Sequence, residues 1–136
     1  MDERELVKEA ILAREKSYSP YSNFMVGAAL LAKSGKVYRG CNIENAAYSP
    51  SNCAERTAFF KAVSEGEREF SAIAVAGWAK GSKTPGYAYP CGVCRQVMME
   101  FCDPDTFRII VAQGQDNFVS STLGELLPCG FGPASL

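Results

Sequence analysis

The chain reads as an α/β domain whose mixed sheet is covered by helices, and three observations predict it. Helical and strand-like apolar patterns alternate along the sequence. The turn residues Gly, Pro, Asn and Ser fall between those patterns rather than inside them. The length, 136 residues, matches one domain able to bury a single hydrophobic core without disulfide staples, so residues 1–136 are expected to form one domain.

Each element has its own warrant. Residues 3–17 carry an apolar stripe (Leu6, Val7, Ala10, Ile11, Ala13) opposite Glu, Lys and Arg, which predicts an amphipathic helix. Ser19-Pro20-Tyr21-Ser22-Asn23 breaks it. Phe24 to Leu31 is a buried strand, Lys33-Ser34-Gly35-Lys36 a hairpin turn with a solvated tip, and Val37 to Ile43 the return strand. Gly27, inside the first strand, signals close approach of another backbone. A second helix spans 53–64, with Ser51 or Asn52 as its N-cap and Gly66 as its stop. Phe70 to Trp78 is a strong strand, followed by a Gly/Pro/Ser-rich loop over Ala79 to Pro90. Cys91 to Phe101 forms a third helix, ended by Asp103-Pro104. Phe107 to Ala112 is a strand, and a turn at Gly114 leads to a short fifth strand at Phe118-Val119. A helical turn near Leu123–Leu127 precedes an irregular tail, Pro128 to Leu136. Phe59-Phe60 and Met98-Met99 are read as helix residues facing the core or a subunit contact.

Composition excludes several function classes. Net charge is -1, whereas proteins that grip phosphate backbones carry a basic excess, so nucleic acid is not the expected partner. The N-terminal MDERELVKEA lacks the basic and apolar regions of a signal peptide, and no apolar run approaches a membrane span. The expected address is the cytoplasm. The chain has no histidine, which removes a Ser-His-Asp triad, a Cys-His nucleophile and any His-ligated metal. Six cysteines remain, at 41, 53, 91, 94, 102 and 129, and close cysteine pairs in a cytosolic chain point to metal or redox chemistry.

Cys53-Ala54-Glu55 opens one predicted helix and Pro90-Cys91-Gly92-Val93-Cys94 opens another. Cys91 and Cys94, three apart, face one way on a helical turn. With Cys53 they offer three thiolates to one zinc ion, and three protein ligands plus a water is the pattern of a catalytic site. Cys102 lies too far along its helix to be a fourth ligand, and Cys41, Cys102 and Cys129 are read as small buried hydrophobes. Three thiolates leave the metal over-supplied with negative charge. Two helix N-termini and Arg56, bonding to the sulfurs, compensate it. Glu55, beside the metal but not needed as a ligand, is the candidate proton carrier for a hydrolytic reaction. Taken singly, Glu55 is a solvated helix-start carboxylate, Arg56 a surface cation, Asn42 and Glu44 turn formers, and Phe24 and Phe131 core aromatics. Their joint occurrence beside three ligand-spaced cysteines is what lifts them above those readings. Cys91-Gly92-Val93-Cys94 alone fits a disulfide oxidoreductase, which leaves Cys53 and Glu55 unexplained, and a structural zinc module needs a fourth ligand.

The pattern Cys53-x-Glu55…Pro90-Cys91-x-x-Cys94 resembles the zinc deaminases. Tyr18 to Leu30, Cys41-Asn42-Ile43-Glu44-Asn45-Ala46-Ala47-Tyr48, Cys53 to Ala58, Pro90 to Gln96, and Leu126-Leu127-Pro128 with Phe131 resemble successive motifs of the homotetrameric cytidine deaminases. The resemblance covers nearly the whole chain. It implies a three-layer α/β/α fold with a mixed five-stranded sheet, and one zinc ion per chain on Cys53, Cys91 and Cys94. The implied reaction is deamination of cytidine and deoxycytidine in pyrimidine salvage. Asn42 and Glu44 would hold the ribose, Phe24 would pack on the base, and the Ala54 backbone would read the pyrimidine edge. Phe131 and the region of Tyr48 would reach a neighbouring subunit's site in a homotetramer. A related aminopyrimidine nucleoside such as blasticidin S is the alternative substrate. The loop from Gly77 to Tyr89 is longer than the usual connection, Ser49-Pro50-Ser51-Asn52 is unusual in detail, and Cys129 stands where a non-thiol residue is expected.

Overall fold

The computed structural model describes residues 1–136. Its first helix, α1 (Glu3–Arg14), opens with a reciprocal cap: the Glu5 N–H donates to the Asp2 carboxylate at 2.8 Å and the Asp2 N–H donates to the Glu5 carboxylate at 3.1 Å. The helix stops short of residue 17. There the N–H groups of Lys16 and Ser17 reach back only three residues, to Ala13 and Arg14, and Tyr18 turns away to pair with Asn42.

β1 (Phe24–Ala32) and β2 (Val37–Cys41) form the expected hairpin, turning at Gly35 with its positive φ. β2 ends two residues before Ile43, which forms isolated bridges to Tyr18 and Asn52 instead. α2 (Ala54–Ser64), β3 (Phe70–Ala79), α3 (Gly92–Phe101), β4 (Arg108–Gly114), β5 (Asn117–Thr122) and α4 (Leu123–Leu126) follow, with a short 3-10 turn at Pro133–Ser135. β4 begins one residue later than expected because the Phe107 N–H is drawn to the Asp103 carbonyl. β5 is longer than its two apolar residues suggest, paired along β4 from Asn117 to Thr122.

The sheet order is β2-β1-β3-β4-β5, parallel only between β3 and β4, hence mixed and five-stranded. The β3-to-β4 crossover carries α3, as a parallel connection requires. Strand alternation divides the core into two layers. Ala72, Ala74 and Ala76 face α1, packing with Leu6, Val7, Ala10, Ile110 and Ala112. Ile73 and Val75 face the opposite side, with Ala58, Phe59 and Ala62 of α2, Met98 of α3, and Ile109 and Val111. Phe59, Phe70, Phe101 and Phe107 form an aromatic knot at the far end of that layer. Phe59 is buried and its neighbour Phe60 is exposed.

Two glycines let helices lie directly on the sheet backbone. A Cβ on Gly27 would stand 2.1 Å from the Ala10 carbonyl oxygen, as its position in the strand foretold. A Cβ on Gly40 would stand 2.4 Å from the Ala54 carbonyl oxygen and 2.5 Å from the Ala58 nitrogen. β2 thereby seats the first turn of α2, which carries the site described next.

Candidate active site

Cys53 and Cys91 are the N-caps of α2 and α3, both with extended backbone and neither making a side-chain capping bond. The expected caps Ser51 and Asn52 have other partners. Ser51 Oγ accepts from the Asn45 N–H at 3.0 Å, and Asn52 bridges to Ile43 while its amide donates to Thr57.

The sulfurs of Cys53 and Cys91 lie 3.9 Å apart and those of Cys91 and Cys94 3.6 Å apart, with all three within 4.8 Å of one another. Tetrahedral zinc with bonds of about 2.3 Å places its sulfurs about 3.8 Å apart, so the donor set fits the ion. Cys41, Cys102 and Cys129 are not part of this cluster, nor is Glu55. Three protein ligands leave a coordination position for solvent.

The electrostatics suit a dication. The neighbouring Cys94 thiol, with Arg56, holds the Cys53 thiol below its ordinary range. The nearness of Cys53, together with burial, pushes Cys94 upward. The two sulfurs thus compete for one proton, and a bound cation supplies positive charge in its place. Arg56 Nη2 donates to Cys53 Sγ at 3.3 Å, and its own pKa is raised first by that bond. Glu55 is only 4% exposed, and burial pushes its carboxyl up to about 7. A carboxyl poised near neutrality both accepts and returns a proton readily.

Cys53, Glu55, Arg56 and Cys91 line one cavity of about 330 Å³, within the roughly 300–1,000 Å³ typical of small-molecule sites, and the buried Cys94 does not. Phe24, Asn42, Glu44, Ala54, Glu55 and Arg56 all border it beside Cys53 and Cys91. Asn42 is locked in place: its Oδ1 accepts from Ser17 Oγ and from the Val26 N–H at 2.9 Å, and its Nδ2 donates to the Phe24 carbonyl at 2.8 Å. Glu44 accepts from the Tyr21 and Ser22 N–H groups and from Ser22 Oγ, the last being the main cause holding its carboxyl below the usual range.

Three sequence-predicted site residues do not border this cavity: the buried Cys94, Tyr48 and Phe131. Tyr48 is 75% exposed and lines a neighbouring hollow with Glu44, and Phe131 is 59% exposed on the tail. Cys129 is also exposed, in a left-handed turn at φ 55°, which corrects the expectation of a buried thiol. Cys41 and Cys102 are half-buried, Cys41 donating to the Lys16 carbonyl. The sequence reading missed Ala88 and Tyr89 in the cavity wall. It also missed Arg95, whose Nε donates to the Pro90 carbonyl at 2.7 Å and so fixes the peptide before Cys91. Gln96 donates to the Phe131 carbonyl at 2.8 Å, tying the tail to α3. The only signal for these roles was their place in the Pro90–Gln96 motif and the loop before it.

Residues 1–110 match the family described as the cytidine and deoxycytidylate deaminase zinc-binding region. The chain belongs to that family. Among cytidine deaminases it is 54% identical to that of Halalkalibacterium halodurans over 131 residues, covering 96% of this chain and 95% of the relative. It is 49% identical to that of Sporosarcina psychrophila over 136 residues, covering 100% of this chain and 96% of the relative. The crystal structure of cytidine deaminase from Burkholderia pseudomallei superposes with a TM-score of 0.87 at 49% identity, covering 96% of this chain and 100% of that one. As a zinc-binding deaminase, the chain is set apart from a disulfide oxidoreductase and from a closed structural zinc module. The three-layer α/β/α fold expected for this deaminase family is the one observed.

Proposed function

We propose that this deaminase hydrolyses cytidine and deoxycytidine to uridine and deoxyuridine, releasing ammonia. The observation that carries the reading is a buried Glu55 that shares one cavity with Cys53 and Cys91, two of three converging sulfurs. Cys53, Cys91 and Cys94 hold zinc, which when bound polarises a water molecule as the nucleophile.

Everything else falls to the chain. Phe24 lies along the pyrimidine, and Ala54 offers its backbone to the ring edge. Asn42, already pinned by Ser17, Val26 and Phe24, and Glu44 take the sugar hydroxyls. Glu44 also repels a phosphate placed nearby, which favours nucleosides over nucleotides. Glu55 receives a proton from the attacking water and passes it to ring N3, then takes the proton of the hydroxyl left on C4 and delivers it to the amine as the C4–N bond breaks. Arg56 keeps negative charge on Cys53.

The whole chain acts as one deaminase domain in pyrimidine salvage. No helix is long and apolar enough to cross a membrane, and the cytoplasm is the proposed address. The exposed Tyr48 and Phe131 support a homotetramer in which each reaches a neighbour's site.

The test follows product formation by the zinc-loaded enzyme from cytidine, deoxycytidine, cytosine, CMP and blasticidin S. The expected result is turnover of the two cytosine nucleosides well above the other three. Faster turnover of blasticidin S, or none of cytidine, would overturn the reading.

A further inference from the structure

The long loop between β3 and α3 supplies a cavity wall that the proposed chemistry does not use. Ala88 and Tyr89 border the cavity alongside Cys53, Glu55 and Cys91. Tyr89 stands two residues before the sulfur donor Cys91, and both border this cavity.

Several contacts fix the backbone on which it stands. As the residue before Pro90, its backbone is confined to extended conformations. The Pro90 carbonyl is gripped by Arg95 at 2.7 Å. The Tyr89 ring lies 6.5 Å from that of Tyr87, and Tyr87 in turn donates its hydroxyl to Asn117 of β5 at 3.2 Å. Gly77 lets the loop settle onto the sheet, since a Cβ there would come within 2.9 Å of the Ala88 Cβ. A half-exposed tyrosine on a backbone fixed in this way walls the cavity.

We propose that Tyr89 is a specificity-determining residue that limits what the pyrimidine's exocyclic nitrogen may carry. The assignment rests on the deaminase reading above. The reacting carbon must lie between Glu55 and the sulfurs, and the nitrogen that leaves is bonded to that carbon. In N4-alkylated cytidines that nitrogen carries an extra group, which meets the Tyr89 ring. The chemistry is otherwise the same: water adds at C4, the C4–N bond breaks, and methylamine leaves in place of ammonia.

The experiment measures uridine formation from cytidine and from N4-methylcytidine by zinc-loaded wild-type enzyme and by Tyr89→Ala, Tyr89→Ser and Tyr89→Phe. The quantity read is the ratio of kcat/KM for the two substrates, which a merely structural defect leaves unmoved. Removing the ring should raise the ratio for N4-methylcytidine roughly ten-fold or more, the scale of discrimination set by one carbon. Tyr89→Phe, which keeps the ring, should stay near wild type. Alanine and serine both delete the ring, so either folded variant decides. A ratio unmoved by ring removal, or raised as much by phenylalanine as by alanine, overturns the assignment. Absence of uridine from cytidine itself would overturn the deaminase reading instead.

Discussion

The helix starts of this molecule fall into two kinds. α1 and α4 begin with side-chain oxygens, Asp2 and Thr122, each in a reciprocal box with an acidic residue three positions on. α2 and α3 begin with cysteines, Cys53 and Cys91, that make no side-chain capping bond. An oxygen cap is worth about 1 kcal/mol. The cysteine-capped helices forgo it, and their first turns, with the partial positive charge of a helix N-terminus, lie against the sulfur cluster instead. Stability is placed at one pair of helix ends and chemistry at the other.

The sharpest way to break the contrast is Cys53→Ser, which gives α2 an ordinary cap and removes a sulfur. Zinc content should fall far below one per chain and turnover vanish, by elemental analysis and uridine assay. The metal-stripped variant should resist urea at least as well as the metal-stripped parent. Glu55→Gln comes next. Turnover should drop roughly 10²–10⁴-fold with zinc still bound, since only the proposed proton carrier is lost. Arg56→Ala should weaken zinc binding about 10–100-fold in chelator competition. The sign with pH follows from the same contact. Without the cation the Cys53 thiol pKa rises, protons compete better for the sulfur, and zinc is released at a higher pH than in wild type.

The opposite kind of helix start gives a smaller effect. Asp2→Ala should lower stability by about 1 kcal/mol in urea unfolding without changing zinc content. The smallest effect belongs to Glu44, whose folded carboxyl is held below its ordinary value of 4.5 mainly by Ser22 Oγ. A depressed carboxyl stabilises the fold above its unfolded pKa, and the gain is lost as pH falls through the folded value. Glu44→Gln should therefore unfold more easily than wild type near neutrality, and the difference should close below about pH 4.5.

Much of this was legible before any coordinates. Cys91 with Cys94, and Cys53 with Glu55, sit in short motifs at helix starts where local spacing brings each pair together, while the meeting of the two motifs rests on the fold. The strands of the core announce themselves as apolar runs, and the order of elements follows. What escaped depends on contacts between distant segments. Ser51 and Asn52 look like caps, and only the fold reveals that Asn45 and Ile43 claim them. Tyr89 belongs to a loop rich in Gly, Pro and Ser, whose path across the cavity no periodicity encodes. Cys129 was assigned by residue type to the interior, but its left-handed turn at the surface is set by the path of the tail.

The seat of α2 on Gly40 has a broader consequence. The height of Cys53 and Glu55 above the sheet is fixed by main-chain atoms of β2 meeting those of Ala54 and Ala58. Main-chain dimensions are the same for every amino acid, so neighbouring side chains can drift in size and polarity while the reactive turn keeps its elevation. What this arrangement forbids is any side chain at position 40, down to a single methyl group, which would lift carboxylate and sulfur together off their mark.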